Sequence, residues 1–214
     1  MEIIMMKQIL EVNDHIANDN REYFHSSNIL CVNVLGSPGS GKTTLISALT
    51  KRLHGIKVGV IEGDVASSID TQRLIDEGVA AVQINTGGQC HLDASSISEA
   101  ARALNLKDAV LFIENVGNLI CTAEFDLGEH IKLLAACVTE GDDKPFKYIP
   151  MFSCVDAVAL TKSDLAEAVS FNKANFIKGL RLVSEADVFD VSCKQNYGVE
   201  AVADYIIKIL RAEI

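Results

Sequence analysis

At 214 residues, 49% of them hydrophobic, the chain is long enough for one sizeable α/β core, and its formal net charge of −10 has the wrong sign for nucleic-acid backbones or anionic membranes. No apolar stretch nears the roughly 18 residues that span a bilayer, and the start lacks the basic and apolar zones of a secretory leader, so a cytoplasmic protein is expected. In that compartment the six cysteines read as thiols, buried or metal-binding, and not as a disulfide framework.

Residues 1–28 are expected to form a helical segment packed on a single domain at 29–214. That domain opens on a buried strand, Ile29 to Leu35, and the helical spacing of Leu45, Ile46, Leu49 and Leu53 starts a helix shortly after it. Between them Gly36-Ser37-Pro38-Gly39-Ser40-Gly41-Lys42-Thr43, followed by Thr44, fits G-x-x-x-x-G-K-[ST] in the context that loop requires. Its glycines let backbone N–H groups curl round phosphates at a helix N-terminus, Lys42 reaches the β- and γ-phosphates, and Thr43 ligates Mg²⁺.

Onward, the pattern predicts a strand at Lys57–Ile61, a helix around Ser67–Glu77, a strand at Val79–Ile84 and a helix at Leu92–Leu104. Strands at Ala109–Glu114 and Ile131–Thr139 follow, then an exposed loop at Gly141–Pro150 and a strand at Ala157–Thr161. A long helix at Leu165–Val183, a strand at Asp187–Val191 and a closing helix at Val199–Arg211 complete the chain. This alternation predicts the α/β class: a P-loop NTPase with a doubly wound, mostly parallel sheet flanked by helices, its ligands beyond the carboxyl ends of the strands.

Further motifs sit at those strand ends. Thr161-Lys162-Ser163-Asp164 resembles the N-K-x-D motif of GTPases. Asp164 can accept the N1–H and 2-amino group of guanine, the stem of Lys162 can lie on the purine, and Thr161 stands where Asn is usual. Ser192-Cys193-Lys194 resembles the S-A-K element that backs the base. A helix-capping turn is the alternative reading of Lys162–Asp164. Glu114-Asn115-Val116-Gly117 looks like D-x-x-G with Glu for Asp, so Glu114 would hold Mg²⁺ and the Gly117 N–H would meet the γ-phosphate. Asp64 joins the Mg²⁺ shell or positions the attacking water, with Asp70 as substitute and helix capping as the plain alternative. Lys42, Asp64, Glu114 and Gly117 thus form the expected catalytic set. No glutamine stands out as a water-positioner and no arginine finger can be named, which implies slow GTP hydrolysis open to acceleration by a partner or by dimerisation.

Gln89-Cys90-His91-Leu92-Asp93 and the later Cys121 offer thiolate and imidazole, natural ligands of Zn²⁺ and Ni²⁺, although spacing alone equally allows buried structural cysteines. Asp93 would either orient His91 or cap the following helix. These motifs, with Asn13-Asp14, Asn20-Arg21, Glu62-Gly63-Asp64, Thr86-Gly87 and Glu124-Phe125-Asp126-Leu127-Gly128-Glu129, resemble the HypB family of hydrogenase maturation GTPases. The resemblance implies a SIMIBI-class G domain that binds GTP and GDP with Mg²⁺ and forms a homodimer when GTP-bound. It further implies Ni²⁺ or Zn²⁺ held by Cys90, His91 and Cys121, and nickel delivery with a HypA-type partner to the hydrogenase large-subunit precursor. Thr122 stands where that family often has Pro, and the cysteine-rich and histidine-rich N-terminal tracts of some members do not occur here. A UreG-type urease accessory GTPase, whose Cys-Pro-His pattern is missing, a small-molecule kinase and a regulatory GTPase without metal are the rival readings.

Overall fold

Seven short runs dominated by Val, Ile, Leu and Ala become parallel strands: β1 (Ile29–Leu35), β2 (Lys57–Asp64), β3 (Ala80–Asn85), β4 (Ala109–Glu114), β5 (Ile131–Cys137), β6 (Ala157–Thr161) and β7 (Asp187–Asp190). They lie in one sheet in the order β3-β2-β4-β1-β5-β6-β7. The structure, a computed structural model, describes residues 2–64, 69–76 and 78–213, without the side chains of 2–7, 64, 69–71, 73 and 213. Every residue of β1 is buried, as a central strand covered on both faces requires, whereas the edge strand β3 is only partly covered.

The intervening helices are α1 (Glu2–Ser26), α2 (Lys42–Thr50), α3 (Ile69–Asp76), α4 (Ala94–Leu104), α5 (Cys121–Glu124), α6 (Lys144–Lys147), α7 (Ile149–Cys154), α8 (Lys173–Leu180) and α9 (Val199–Glu213). Alternate residues of a strand face opposite sides, and β1 divides its apolar residues accordingly. Leu30, Val32 and Val34 pack with Leu45 and Leu49 of α2 and Ile206 of α9. Ile29 and Cys31 pack on the other face with Phe24 of α1 and Ile97 of α4. A third cluster joins Leu134 and Val158 to Phe152 of α7 and Phe176 of α8. Among the described residues no helix is long and apolar enough to cross a membrane.

Three expected elements differ. The long helix at Leu165–Val183 is broken: after a 3₁₀ turn at Ser163–Leu165, Ser170 adopts a left-handed φ of 53°. Asn172 then caps α8, its side chain accepting from the Asn175 N–H at 3.1 Å. The apolar periodicity did not reveal that cap. Gly141–Pro150 is not an exposed loop but carries α6 and the start of α7. Pro145 and Pro150 lie in their first turns, where a missing N–H is harmless, and Pro145 is buried. The strand expected to reach Thr139 ends at Cys137, and Val138–Glu140 is a 3₁₀ turn.

Candidate functional site

The winding of the sheet reverses beside β1, and the loop that leaves its carboxyl end, Gly36 to Gly41, lies in the crevice this creates. Gly36 approaches the neighbouring strand so closely that a Cβ would fall 2.6 Å from the Ala135 carbonyl oxygen. Gly41 begins α2 from a left-handed φ of 96°, a conformation costly for any residue with a Cβ. Lys42 is buried and folds over the loop, its Nζ donating to the carbonyls of Gly36 at 3.2 Å and Ser37 at 3.1 Å. The Thr43 hydroxyl donates to Glu114 Oε1 at 2.7 Å, linking the first turn of α2 to the end of β4. Glu62 stands beside Glu114 in register on β2 and is buried. The sequence marks Glu62 only as part of Glu62-Gly63-Asp64, with no role of its own. Asp64 ends β2, but its side chain and that of Asp70 lie outside the described residues, so the geometry does not choose between them.

Gly39, Gly41, Lys42, Thr43, Glu114 and Lys162 line a cavity of about 320 Å³. A second, of about 240 Å³, continues past Thr44 to Thr161, Asp164, Cys193 and Lys194. Gly41, Thr44 and Lys162 border both, so a phosphate-sized and a base-sized compartment lie in line. Thr161 donates its hydroxyl to the Ser40 carbonyl at 2.6 Å, and Lys162 donates to the Gly39 carbonyl at 2.8 Å. The Thr in place of Asn therefore still ties the base-side loop to the phosphate loop. Gly36, Ser37, Pro38, Ser40, Gly117 and Ser192, all expected at the nucleotide, line neither cavity. Ser37 bonds to Glu140 at 2.6 Å, Pro38 packs against Gly117, and buried Ser192 accepts from the Gln195 N–H at 3.2 Å to shape the turn behind Cys193.

On the other side of the Glu114 segment, Cys90, His91 and Cys121 border a cavity of about 490 Å³ together with Ile9, Val12 and Phe125. Cys90 Sγ lies 3.6 Å from His91 Nδ1. A hydrogen bond with Cys90 and, secondarily, burial raise the Cys121 thiol above its ordinary pKa. Burial lowers that of His91 against the opposing charges of Asp93 and Glu124, favouring the neutral imidazole that can ligate a metal. The His91 ring stacks on Phe125 with centroids 3.7 Å apart. Among the described residues no three His, Cys, Asp or Glu side chains are arranged around a common point for a metal ion. The donors are thus gathered round one cavity but not closed on an ion. Two thiols and an imidazole suit a soft or borderline cation. Asp93 caps α4, accepting from the Ser96 N–H at 2.7 Å, and does not bond to His91.

Asparagines hold this face in place. Asn13 of α1 accepts from the Ala94 N–H and donates to the Asp126 carbonyl, both at 2.8 Å. Asn20 donates to the carbonyls of Ala94 and Leu127 at 2.8 and 3.1 Å, and Arg21 grips Asp126 through both carboxylate oxygens. Asn118 accepts from the N–H groups of Ile120 and Cys121 at 2.7 and 3.2 Å. The presence of Asn13, Asn20, Arg21 and Asn118 is visible in the sequence but their roles are not: the partners of the first three lie 74 to 113 positions along the chain, and Asn118 closes a local turn.

The family model described as "CobW/HypB/UreG, nucleotide-binding domain" matches residues 30–189. The hydrogenase maturation factor HypB of Rhizobium leguminosarum bv. viciae is 43% identical over 198 residues, covering 91% of this chain and 66% of that protein. The probable HypB of Methanocaldococcus jannaschii is 38% identical over 208 residues, covering 96% and 94%. The chain therefore spans about two thirds of the bacterial relative and nearly all of the archaeal one. Among solved structures, HypB from Helicobacter pylori in complex with nickel superposes with a TM-score of 0.90 at 36% identity, covering 94% of this chain and 95% of that one. HypB from Archaeoglobus fulgidus does so at 0.88 and 37%, covering 94% and 100%.

Proposed function

The chain belongs to the CobW/HypB/UreG family, with HypB proteins as its similar relatives, and on that premise we propose that it hydrolyses GTP to control the binding and release of nickel for [NiFe] hydrogenase maturation. One observation carries the reading. A single stretch, Glu114 to Cys121, starts at the Thr43 hydroxyl beside the phosphate loop and ends at a thiol of the metal-side cavity. Occupancy at one end can therefore bear on donor positions at the other.

Within the nucleotide site, the N–H groups of residues 39–44 and Lys42 meet the phosphates, and the lysine must leave the carbonyls of Gly36 and Ser37 to do so. Lys42 then offsets charge that develops on the leaving phosphate as water attacks the γ-phosphorus. The Gly117 N–H senses the γ-phosphate. Thr43, Glu114 and Asp64 would hold Mg²⁺, a fit supported by the Thr43–Glu114 contact and the neighbouring Glu62. That ion supplies charge neutralisation between phosphates. Asp164 reads guanine, with Lys162, Thr161 and the Ser192-Cys193-Lys194 turn shaping the pocket. The alternative to that Mg²⁺ role is that Asp64 orients the attacking water.

Cys90, His91 and Cys121 take the ion as cargo, Ni²⁺ or Zn²⁺. Because three donors leave tetrahedral coordination incomplete, the ion can depart or be shared by two copies in a GTP-bound homodimer. Delivery runs to a hydrogenase large-subunit precursor with a HypA-type partner. The test is Ni²⁺ and Zn²⁺ titration with GDP and with a non-hydrolysable GTP analogue, repeated on Cys90→Ala and Cys121→Ala. Each substitution is expected to weaken binding at least about tenfold. Unchanged binding in both removes the metal role.

A further inference from the structure

We infer that the Asn115 carboxamide is the positioning group that couples the phosphate loop to Cys90 and His91; this deepens the proposed function and rests on it. Asn115 follows Glu114 directly and is almost completely buried. Its backbone N–H continues the sheet ladder to the Val34 carbonyl at 3.1 Å, so its Cα is fixed by β1 and β4. The side chain joins three parts of the protein. Nδ2 donates to Asn33 Oδ1 at 3.2 Å, while Oδ1 accepts from the Val116 N–H at 2.9 Å and from the Leu92 N–H at 3.4 Å.

The Asn33 end is a fixed pivot. Asn33 lies in the buried centre of β1 and donates to Glu129 Oε1 at 3.0 Å, and Glu129 Oε2 accepts from the Leu127 N–H at 2.7 Å. The Oδ1 end is shared. Because it is bonded to the Val116 N–H, any turn of the 116–117 peptides rotates the carboxamide about that pivot. Those peptides cannot move independently of the phosphate loop, since a Cβ on Gly117 would lie 2.9 Å from the backbone nitrogen of Pro38, and Asn118 bridges Gly36. The bond to Leu92, adjacent to His91 and two residues from Cys90, is the longest of the three. A long bond on a shared acceptor is the one a shift of a few tenths of an ångström makes or breaks.

Here the same oxygen answers to the peptide beside the γ-phosphate sensor and to the peptide that carries the metal donors. That gives two arrangements of one group, the requirement for coupling between sites.

The experiment compares Ni²⁺ dissociation constants of the full chain with GDP and with a non-hydrolysable GTP analogue, before and after Asn115→Ala. The unaltered protein is expected to show a ratio of about fivefold or more between the two states, and Asn115→Ala a ratio near one. Nucleotide affinity and nucleotide-free Ni²⁺ affinity should each stay within about threefold. A ratio preserved in Asn115→Ala overturns the inference and leaves the proposed function standing. So does a parallel loss of all three affinities, which marks a purely structural residue. A ratio of one in the unaltered protein overturns the coupling itself, and the inference with it. Should Asn115→Ala fail to fold, hydrogen exchange at the Leu92 amide in the unaltered protein decides. Protection differing by about tenfold between the nucleotide states supports the shared acceptor, and equal protection overturns it.

Discussion

Between β1 and α2 the phosphate loop is one unbroken run, Gly36 to Gly41, that works through its backbone and leads straight into Lys42 and Thr43, whereas the thiol face is gathered from α1, residues 89–93 and residues 121–125. The first is held by its own glycines and by two short bonds to its carbonyls, from Thr161 and Lys162. The second hangs on side chains that reach across the fold, Asn13, Asn20, Arg21 and Asn115, with Asn118 closing a local turn onto Cys121. A site that must bind phosphate can be built rigid. One proposed to release an ion is better mounted on polar tethers, which can exchange partners at modest cost.

The heaviest losses come from single residues of the nucleotide site. Lys42→Ala is expected to lower GTP turnover by about a hundredfold or more, read as phosphate release, because the buried ammonium supplies charge that no neighbour replaces. Normal hydrolysis would remove the loop from the chemistry. Asp164→Ala should weaken GTP binding about tenfold or more while leaving ATP binding nearly unchanged, since only guanine offers the N1–H and 2-amino donors. Equal losses for both nucleotides would return Asp164 to a capping role. The same pocket gives an independent check, because bound GDP should slow alkylation of the half-buried Cys193 on its wall.

How much of this was legible follows the same division. Gly36 to Thr43 could be read directly because sequence neighbours there are spatial neighbours, and so could the strands and the parallel sheet, whose periodicity is local. Thr161 stands where the base-reading motif usually has Asn, and the sequence does not show that its hydroxyl reaches the Ser40 carbonyl: the bond depends on reach, not on residue type alone. Cys90, His91 and Cys121 were legible as donors from their chemistry and as one set only through the family resemblance, since their approach depends on Asn115 and Asn118 meeting backbone N–H groups. Backbone partners leave no mark in a sequence. The break of the expected helix at Leu165–Val183 was hidden likewise, in the side-chain cap made by Asn172.

The scaffold of the thiol face can be loosened one tether at a time. Asn20→Ala removes donors from the buried carbonyls of Ala94 and Leu127, and about 1–2 kcal/mol of stability should go with them. Chemical denaturation measures it. Cys90 and Cys121 should become more reactive to alkylation than Cys31, which lies in the core. A uniform rise at all three would mean that α1 supports the whole fold equally and would blunt the contrast between the two regions.

Acid sharpens the contrast further, with the smallest expected effect. Burial alone would raise the Asp126 pKa, but the Gly128 N–H at 2.8 Å and the Arg21 guanidinium overcome it and leave it below the ordinary 3.8. A depressed folded pKa contributes stability that is fully present above the unfolded value and is lost as pH falls through the folded one. The contribution of the Arg21–Asp126 pair should therefore be complete at neutral pH and fade below about pH 4. Side-chain exposures of 41% and 36% expose the pair to solvent screening, so about 1 kcal/mol or less is at stake. Glu129 has the opposite sign: burial raises its pKa above 4.5, so its cost grows as pH rises through that value, and mild acid relieves it first. Urea midpoints of the unaltered protein and Asp126→Asn, followed from pH 7 to pH 3, should differ at neutrality and converge at the acid end. A difference that persists undiminished at pH 3 would mean that Asp126 acts through its oxygen geometry and not its charge. The tethers of the thiol face would then be as insensitive to ionisation as the backbone of the phosphate loop.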